Sequence, residues 1–340
     1  MSTETRRTRR GSTSPRTSTI AVLSVAGLLV TTLVTAAVLG LSYVSSLANT
    51  FETNTTKIEN PFPEGPRPEP LEDGTMNILL MGSDSRGDEA IVGETDMSNQ
   101  RSDVLMLLHI DAARKSFYTM SIMRDSWVEI PGHGMAKVNA AFAWGGTPLT
   151  VATVENLLQT RIDHVALIDF QGFEEMTDAL GGVDIEVAEG FKHEQFTYAT
   201  GLNHLDGQEA LGFVRERYAF ADGDYQRVKN QQLFLQSIAN KAFSKSTLTD
   251  PVRLSAFINA TTKHLSVDAG FDAKTLLDLG ISLRELRFEN VHFFTMPASG
   301  SGTSEDGQQY ITLDQARLTD LQAALSKDTM DAFLGLPPRS

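Results

Sequence analysis

The chain of 340 residues contains no cysteine. Disulfides, thiolate catalysis and cysteine-based zinc or iron–sulfur centres are therefore excluded. Basic residues are also few, 29 Lys and Arg against 43 Asp and Glu, for a net charge of −14. Taking the five tail arginines and Glu4 from those totals leaves 24 basic against 42 acidic residues, or about −18, beyond the amino-terminal region. That balance speaks against a nucleic-acid partner, which calls for a basic face. The seven histidines show no paired metal-ligand spacing, and His133, His164 and His204 read as loop or turn residues. No Gly-x-Ser-x-Gly elbow, internal repeat or long low-complexity tract is present.

A second absence is informative: no charged residue stands between Arg16 and Glu52. Thr19 to Tyr43 is the most apolar part, about 25 residues or roughly 37 Å as a helix, enough to cross a bilayer. Arg6, Arg7, Arg9, Arg10 and Arg16 precede it. Basic residues stay on the cytoplasmic side. The expectation is a cytoplasmic tail over 1–17 and one transmembrane helix over 18–45. Everything after it is extracytoplasmic, at the cell membrane. A long cleaved signal is the alternative, since Ala36, Ala37 and Ala48 supply small residues. Residues 46–75, with Pro61, Pro63, Pro66, Pro68 and Pro70, read as an extended spacer.

The globular part is expected over 76–326, with a tail over 327–340. Met76–Met81, stopped by Gly82, reads as a buried strand. Val104–Ile110 and Ser116–Met123 read as two more, joined by a turn at Asp111–Arg114. Strands over Val165–Phe170, Val183–Val187 and Val291–Met296 alternate with helices over Thr150–Leu158, Phe173–Leu180, Gly207–Val214, Tyr225–Phe243, Pro251–His264, Ala273–Leu286 and Leu313–Leu325. Gly181–Gly182 supplies a left-handed helix end. Alternation of this kind predicts an α/β domain, with helices on both faces of a mixed sheet.

Charged residues cluster at the predicted strand ends, where α/β sheets build ligand sites. Gly82-Ser83-Asp84 follows the first strand, Arg101-Ser102-Asp103 precedes the second, and Arg124-Asp125 follows the third. Two carboxylates from separate strand ends, Asp84 and Asp103, suit one magnesium ion. Arg101, Arg124, Arg215, Arg217 and Arg227 suit phosphate oxygens through forked hydrogen bonds. Each piece has a plainer reading. A lone Arg-x-Asp is a surface ion pair, Gly82-Ser83-Asp84 a turn, Gln231 a solvated helix residue and Lys137 plain surface. Asp224 either caps the helix that follows or joins the site.

The ordered segments NILLMGSDSR, RSDVLMLLHID, SIMRDSWVEIPGHGMAKVNAAFAWGG, RIDHVALIDFQGFEEMTDALGGVDIEV, GLNHLDGQEALGFVRERY and GDYQRVKNQQ, spanning Met76 to about Phe243, resemble the LytR-CpsA-Psr family. The resemblance implies a three-layer α/β/α sandwich with an apolar pocket for a polyprenyl chain. It also implies a Mg2+-dependent phosphotransferase that moves a glycopolymer from a polyprenyl-pyrophosphate carrier onto peptidoglycan and releases polyprenyl phosphate. Asp84 and Asp103 match the metal-binding aspartates. Arg101, Arg124, Arg215, Arg217, Arg227 and Gln231 match the pyrophosphate-binding set, with Arg124, Asp125 and Arg217 as catalytic candidates. Asp125 or a metal ligand would take the acceptor proton. Leu233, Phe234, Ile238 and Phe243 are candidates for the apolar surface or for ordinary core. Two departures stand out. Asn230 replaces the arginine of the usual Arg-Gln-Gln, and Met123 replaces a proline. A lipid-pyrophosphate hydrolase and a non-catalytic lipid-phosphate-binding regulator are the alternative activities.

Overall fold

The computed structural model describes residues 42–71, 74–83, 102–216, 218–220 and 223–337. The chain divides into two units, Met1–Leu47 and Ala48–Ser340. Among the described residues no helix is long and apolar enough to cross a membrane. The predicted span over 18–45 lies outside them except for 42–45, which begin a helix running to residue 54 (α1).

The chain then forms β1 (Thr56–Lys57), β2 (Met76–Ser83), β3 (Ser102–Ile110), β4 (Phe117–Ser121), β5 (Trp127–Ile130) and β6 (Gly134–Lys137). There follow α2 (Asn139–Leu158), β7 (His164–Asp169), α3 (Phe170–Ala179), β8 (Val183–Val187), β9 (Phe191–His193), β10 (Phe196–Tyr198), β11 (Gly201–Leu205), α4 (Gly207–Arg215) and α5 (Asp224–Ala242). The last third carries α6 (Lys245–Leu248), α7 (Pro251–Lys263), β12 (Leu265–Val267), α8 (Ala273–Ser282), β13 (Val291–Thr295), β14 (Ala298–Thr303), β15 (Gln309–Leu313), α9 (Gln315–Ser326) and α10 (Met330–Leu334). His164 and His204 therefore lie on strands rather than in loops, while His133 sits in the turn between β5 and β6.

Seven strands form the central sheet, in the order β1-β12-β7-β2-β3-β4-β13. It is mixed: β2 runs parallel to β7 and antiparallel to β3, and β4 runs parallel to β13. This agrees with the expected α/β class. Strand pleating sends successive side chains to opposite faces. On one face Leu79, Met81, Leu105, Leu107, Val165 and Leu167 pack with α2 and α9 in a continuous buried cluster. On the other, Leu80, Gly82, Val104, Met106 and Ile168 point towards α3, α5 and α7. The far end of that second face is closed by Ile78, Ile110, Phe271 and Phe51 of α1.

Two helix boundaries have clear local causes. The Asp169 carboxylate accepts the Gly172 N–H at 2.7 Å, so α3 starts at Phe170, three residues before the expected start. Helix α2 reaches back to Asn139 across a kink at Gly145 and Gly146, whose backbone angles are not helical. At the end of α3, Gly181 and Gly182 adopt φ of 77° and 79°, the left-handed turn their position predicts.

The proline-rich segment is not a spacer over its whole length. Phe51 is buried, β1 pairs with β12, and Phe62 packs on the α2 side of the sheet. Arg67 donates from Nη2 to Glu155 Oε1 at 2.6 Å and to the Ile162 carbonyl at 2.6 Å. Residues 51–67 therefore form a strap bound to the domain. A buried carboxylate needs a paired cation, and Arg67 supplies it. At the other end, Met330 of α10 is fully buried and Phe333 packs on the same core. The segment expected as a tail thus contributes to the domain.

Candidate functional site

The C-terminal ends of β2, β7, β4 and β13 and the N-terminal start of β3 fall on one edge of the sheet, because β3 alone of these runs the other way. This topology brings Ser83, Ser102 and the end of β4 at Ser121 to the same edge. Asp84, Arg101 and Arg217 lie outside the described residues. Asp103 belongs to β3. The register shifts between Gly82↔Val104 and Ser83↔Ser102, which leaves Asp103 as the extra residue of a bulge beside Ser83. Bulges are favoured next to active sites. Among the described residues no group of three or more His, Asp or Glu is placed to hold a metal ion.

Arg124 and Asp125 occupy the loop after β4. The loop is fixed by its main chain: Asn139 N–H donates to the Arg124 carbonyl at 3.2 Å, and Ile311 N–H to the Asp125 carbonyl at 2.8 Å. The Asp125 carboxylate faces two cations, Lys137 Nζ at 3.0 Å from Oδ1 and Arg124 Nε at 3.6 Å from Oδ2. Lys137 is thus part of this group rather than plain surface. Met123 is buried against Val228 and Ile311, so it ties the Arg124 loop to helix α5 beside Arg227.

Helix α5 starts at Asp224, with Gly223 in the capping position. Asp224 is therefore the first helical residue and not the cap. Arg227 and Gln231, one turn apart, are both buried. The neighbours of Gln231 do structural work. Asn230 Nδ2 donates to the Phe213 carbonyl near the end of α4 at 3.0 Å, and Asn230 Oδ1 accepts from Gln226 at 2.9 Å. Gln232 donates to Ser121 and Thr295 at the ends of β4 and β13. The asparagine in place of arginine is thus a neutral clamp between α4 and α5.

Arg215, the last residue of α4, is exposed and lays its guanidinium 4.1 Å from the Phe170 ring centre. Such a stack contributes about 0.5–1 kcal/mol at an exposed site. The next residue, Glu216, turns inward. Its carboxylate accepts from the Ala219 N–H at 2.8 Å and meets His193 Nδ1 at 2.5 Å. Burial pushes the Glu216 carboxyl up, but the Ala219 and Tyr218 N–H groups and His193 outweigh it and hold the group below its ordinary value. Glu216 fixes the turn after Arg215. An acid between two arginines was the only sequence signal for that role.

Behind this edge lies a cavity of about 240 Å3. Its walls are Leu80, Val104 and Met106 of the sheet and Phe170, Phe173 and Phe234 of α3 and α5, with further apolar residues from α4 and β12. Gln231 and Asp169 are among the few polar side chains on it. Ile238 lines it too, whereas Leu233 packs into the neighbouring core and Phe243 is 67% exposed. Phe243 is therefore removed from the expected apolar surface. Gln231, with Phe170 beneath Arg215, joins the apolar cavity to the cationic edge.

The LytR_cpsA_psr family model matches residues 41–327. The chain belongs to this family. TagU of Bacillus cereus, a polyisoprenyl-teichoic acid–peptidoglycan teichoic acid transferase, is 37% identical over 199 residues, 58% of this chain and 62% of TagU. LcpA of Corynebacterium glutamicum, a cell wall biosynthesis protein, is 28% identical over 283 residues, 71% of this chain and 54% of LcpA. The chain thus spans about three-fifths of the length of TagU, 62%. Among solved structures, B. subtilis TagV superposes with a TM-score of 0.61 at 25% identity, covering 79% of this chain and 100% of TagV. TagT bound to LI-WTA superposes with a TM-score of 0.61 at 25% identity, covering 81% of this chain and 99% of TagT.

Proposed function

We propose that this LytR_cpsA_psr member is a phosphotransferase. It moves a glycopolymer from a polyprenyl-pyrophosphate carrier to peptidoglycan and releases polyprenyl phosphate. The observation that carries the reading is the junction of an apolar cavity with a cationic edge, joined through Gln231 and the Arg215–Phe170 stack. A polyprenyl pyrophosphate has those two parts in that order. The family membership and the names of TagU and LcpA support it.

In this reading Arg124, Arg215, Arg227 and Gln231, with Arg101 and Arg217, bind the pyrophosphate. Asp84 and Asp103 hold a magnesium ion, which when bound neutralises phosphate charge. An acceptor sugar hydroxyl attacks the phosphorus that bears the glycan. The bond from that phosphorus to the bridging oxygen breaks, the prenyl phosphate leaves with that oxygen, and a glycan–phosphodiester–peptidoglycan link forms. Asp125 receives the hydroxyl proton, its carboxylate kept in place by Lys137 and Arg124. Catalysis is mainly alignment and charge stabilisation, as in other phosphoryl transfers. The amino-terminal segment anchors the domain at the outer face of the cell membrane, the apolar stretch over 18–45 being the support for this.

The test uses the full-length chain in detergent with a polyprenyl-pyrophosphate-linked glycan, with and without peptidoglycan. The expected result is polyprenyl phosphate release that depends on the acceptor, with the glycan recovered on peptidoglycan. Equal release without peptidoglycan would make the protein a hydrolase. Donor binding with no turnover would make it a lipid-phosphate-binding regulator.

A further inference from the structure

The hairpin β5–β6 carries an outward surface of which the transfer site uses only Lys137. Val128 and Ile130 point into the core, so their alternates Trp127 and Glu129 face outward. Residues opposite each other on paired strands share a face, which puts Lys137 beside Trp127 and Met135 beside Glu129. The Trp127 ring stacks on Tyr310 with centroids 4.4 Å apart. At the tip, His133 stacks on Trp144 at 4.9 Å. Trp144 is 49% and Met135 50% exposed. Trp127 lies on the hairpin, and Trp144, on helix α2, meets the hairpin tip through His133. From Trp127 to Ile130 the strand runs roughly 10 Å at the usual rise per residue.

The surface begins at the reacting edge. Trp127 is two residues from Asp125, and Lys137, its cross-strand partner, holds the Asp125 carboxylate. We propose that this hairpin face is the docking shelf for the acceptor, a chain of N-acetylated amino sugars, whose rings stack on the aromatic pairs and present a hydroxyl to Asp125. The inference rests on the transferase reading above. Three observations choose the occupant. A pyranose ring has an apolar C–H face for stacking and a hydroxyl rim for groups such as Glu129 and Lys137. A lipid surface would not tolerate those charges across its contact. A nucleic acid would stack equally well, but a chain of net charge −14 repels its phosphates.

The tryptophans make the test direct. The full-length protein in detergent is titrated with soluble, peptide-free oligosaccharides of N-acetylglucosamine and N-acetylmuramic acid, with tryptophan emission as the readout. A saturable change is expected without any lipid-linked donor. Trp144→Ala, at an exposed position, should keep the melting temperature and weaken oligosaccharide binding about tenfold by calorimetry. In the transfer assay it should raise the acceptor KM and leave kcat at saturating acceptor unchanged. Trp127→Phe, which keeps a ring, should bind more tightly than Trp127→Ala. No emission change at acceptor concentrations that support transfer, or an unchanged acceptor KM in Trp144→Ala, would overturn the shelf while leaving the transferase reading intact. Oligosaccharide binding in a protein with no transfer would do the reverse.

Discussion

The two faces of the central sheet are built from similar residues and end differently. On the α2–α9 face, Leu79, Met81, Leu105, Leu107, Val165 and Leu167 join helix side chains in one continuous buried cluster. On the other face, their neighbours Leu80, Val104, Met106 and Ile168 line a hollow of about 240 Å3. Close packing is the ordinary state of a protein interior, and an apolar void forfeits contacts. The filled face holds the domain together. The hollow face gives up part of that stabilisation and opens towards the cationic edge, where the account places the lipid and its pyrophosphate.

The largest contrast should come from the edge. Arg124→Ala should lower transfer by about 10²–10³-fold, the usual effect of removing one group that stabilises developing charge. Its melting temperature should stay near that of the parent protein. Near-normal transfer by the purified variant on a lipid-linked donor would remove Arg124 from the mechanism. The strap tests the filled face. Arg67→Ala leaves the buried Glu155 carboxylate without its cation and should cost about 3–5 kcal/mol in urea unfolding. A change near zero would restore the spacer reading of that segment.

Leucine truncations compare the faces themselves. Leu321→Ala in α9, fully buried, should cost about 2–5 kcal/mol. Leu235→Ala, on the cavity wall and only partly buried, should cost clearly less by the same unfolding measurement. Equal costs would erase the distinction. Filling the hollow with Ile238→Trp should leave stability close to the parent and weaken polyprenyl phosphate binding, since each methylene kept out forfeits about 0.8 kcal/mol. Unchanged lipid affinity would place the chain elsewhere.

The smallest effect concerns Glu216. Its folded-state carboxyl titrates below the ordinary value of 4.5, so the stability it contributes is present above that pH and is lost as pH falls through the folded value. Glu216→Gln should flatten the decline of melting temperature at acid pH below about 4.5. An unchanged acid limb would show that Glu216 does not govern it.

Much of the sheet was legible in the sequence because β2, β3 and β4 are apolar runs bounded by turn residues. Helices α4, α5 and α7 ended within a residue or two of expectation because their periodicity is clear. The hairpins β5–β6, β9–β10 and β14–β15 were missed, since strands of three to six residues rich in Gly, Ser and Thr, or interrupted by a turn, carry little alternation. The expected helix began only at Thr150, whereas α2 starts at Asn139 and passes through Gly145, Gly146 and Pro148 with a kink. The proline-rich strap read as a spacer because nothing local shows that Arg67 will meet Glu155, 88 positions away. The cavity was unreadable for a deeper reason. Apolar periodicity marks a face as buried, but Phe234 and Ile238 look the same in sequence whether they fill a core or line a hollow. For the site, Arg124, Asp125, Arg215 and Arg227 were singled out from charge at element ends, and Gln231 by the family resemblance. Glu216, Lys137 and the capping role of Asp169 emerge only when strands and helices are brought together.

The most direct test of the two-face account is a crystal structure of the protein with a polyprenyl pyrophosphate bound. The account predicts prenyl density between the sheet and α5, against Phe170, Phe234 and Met106, with the pyrophosphate beside Arg124, Arg215 and Arg227. A prenyl chain lying outside that cavity, or a pyrophosphate away from Arg124, would contradict it.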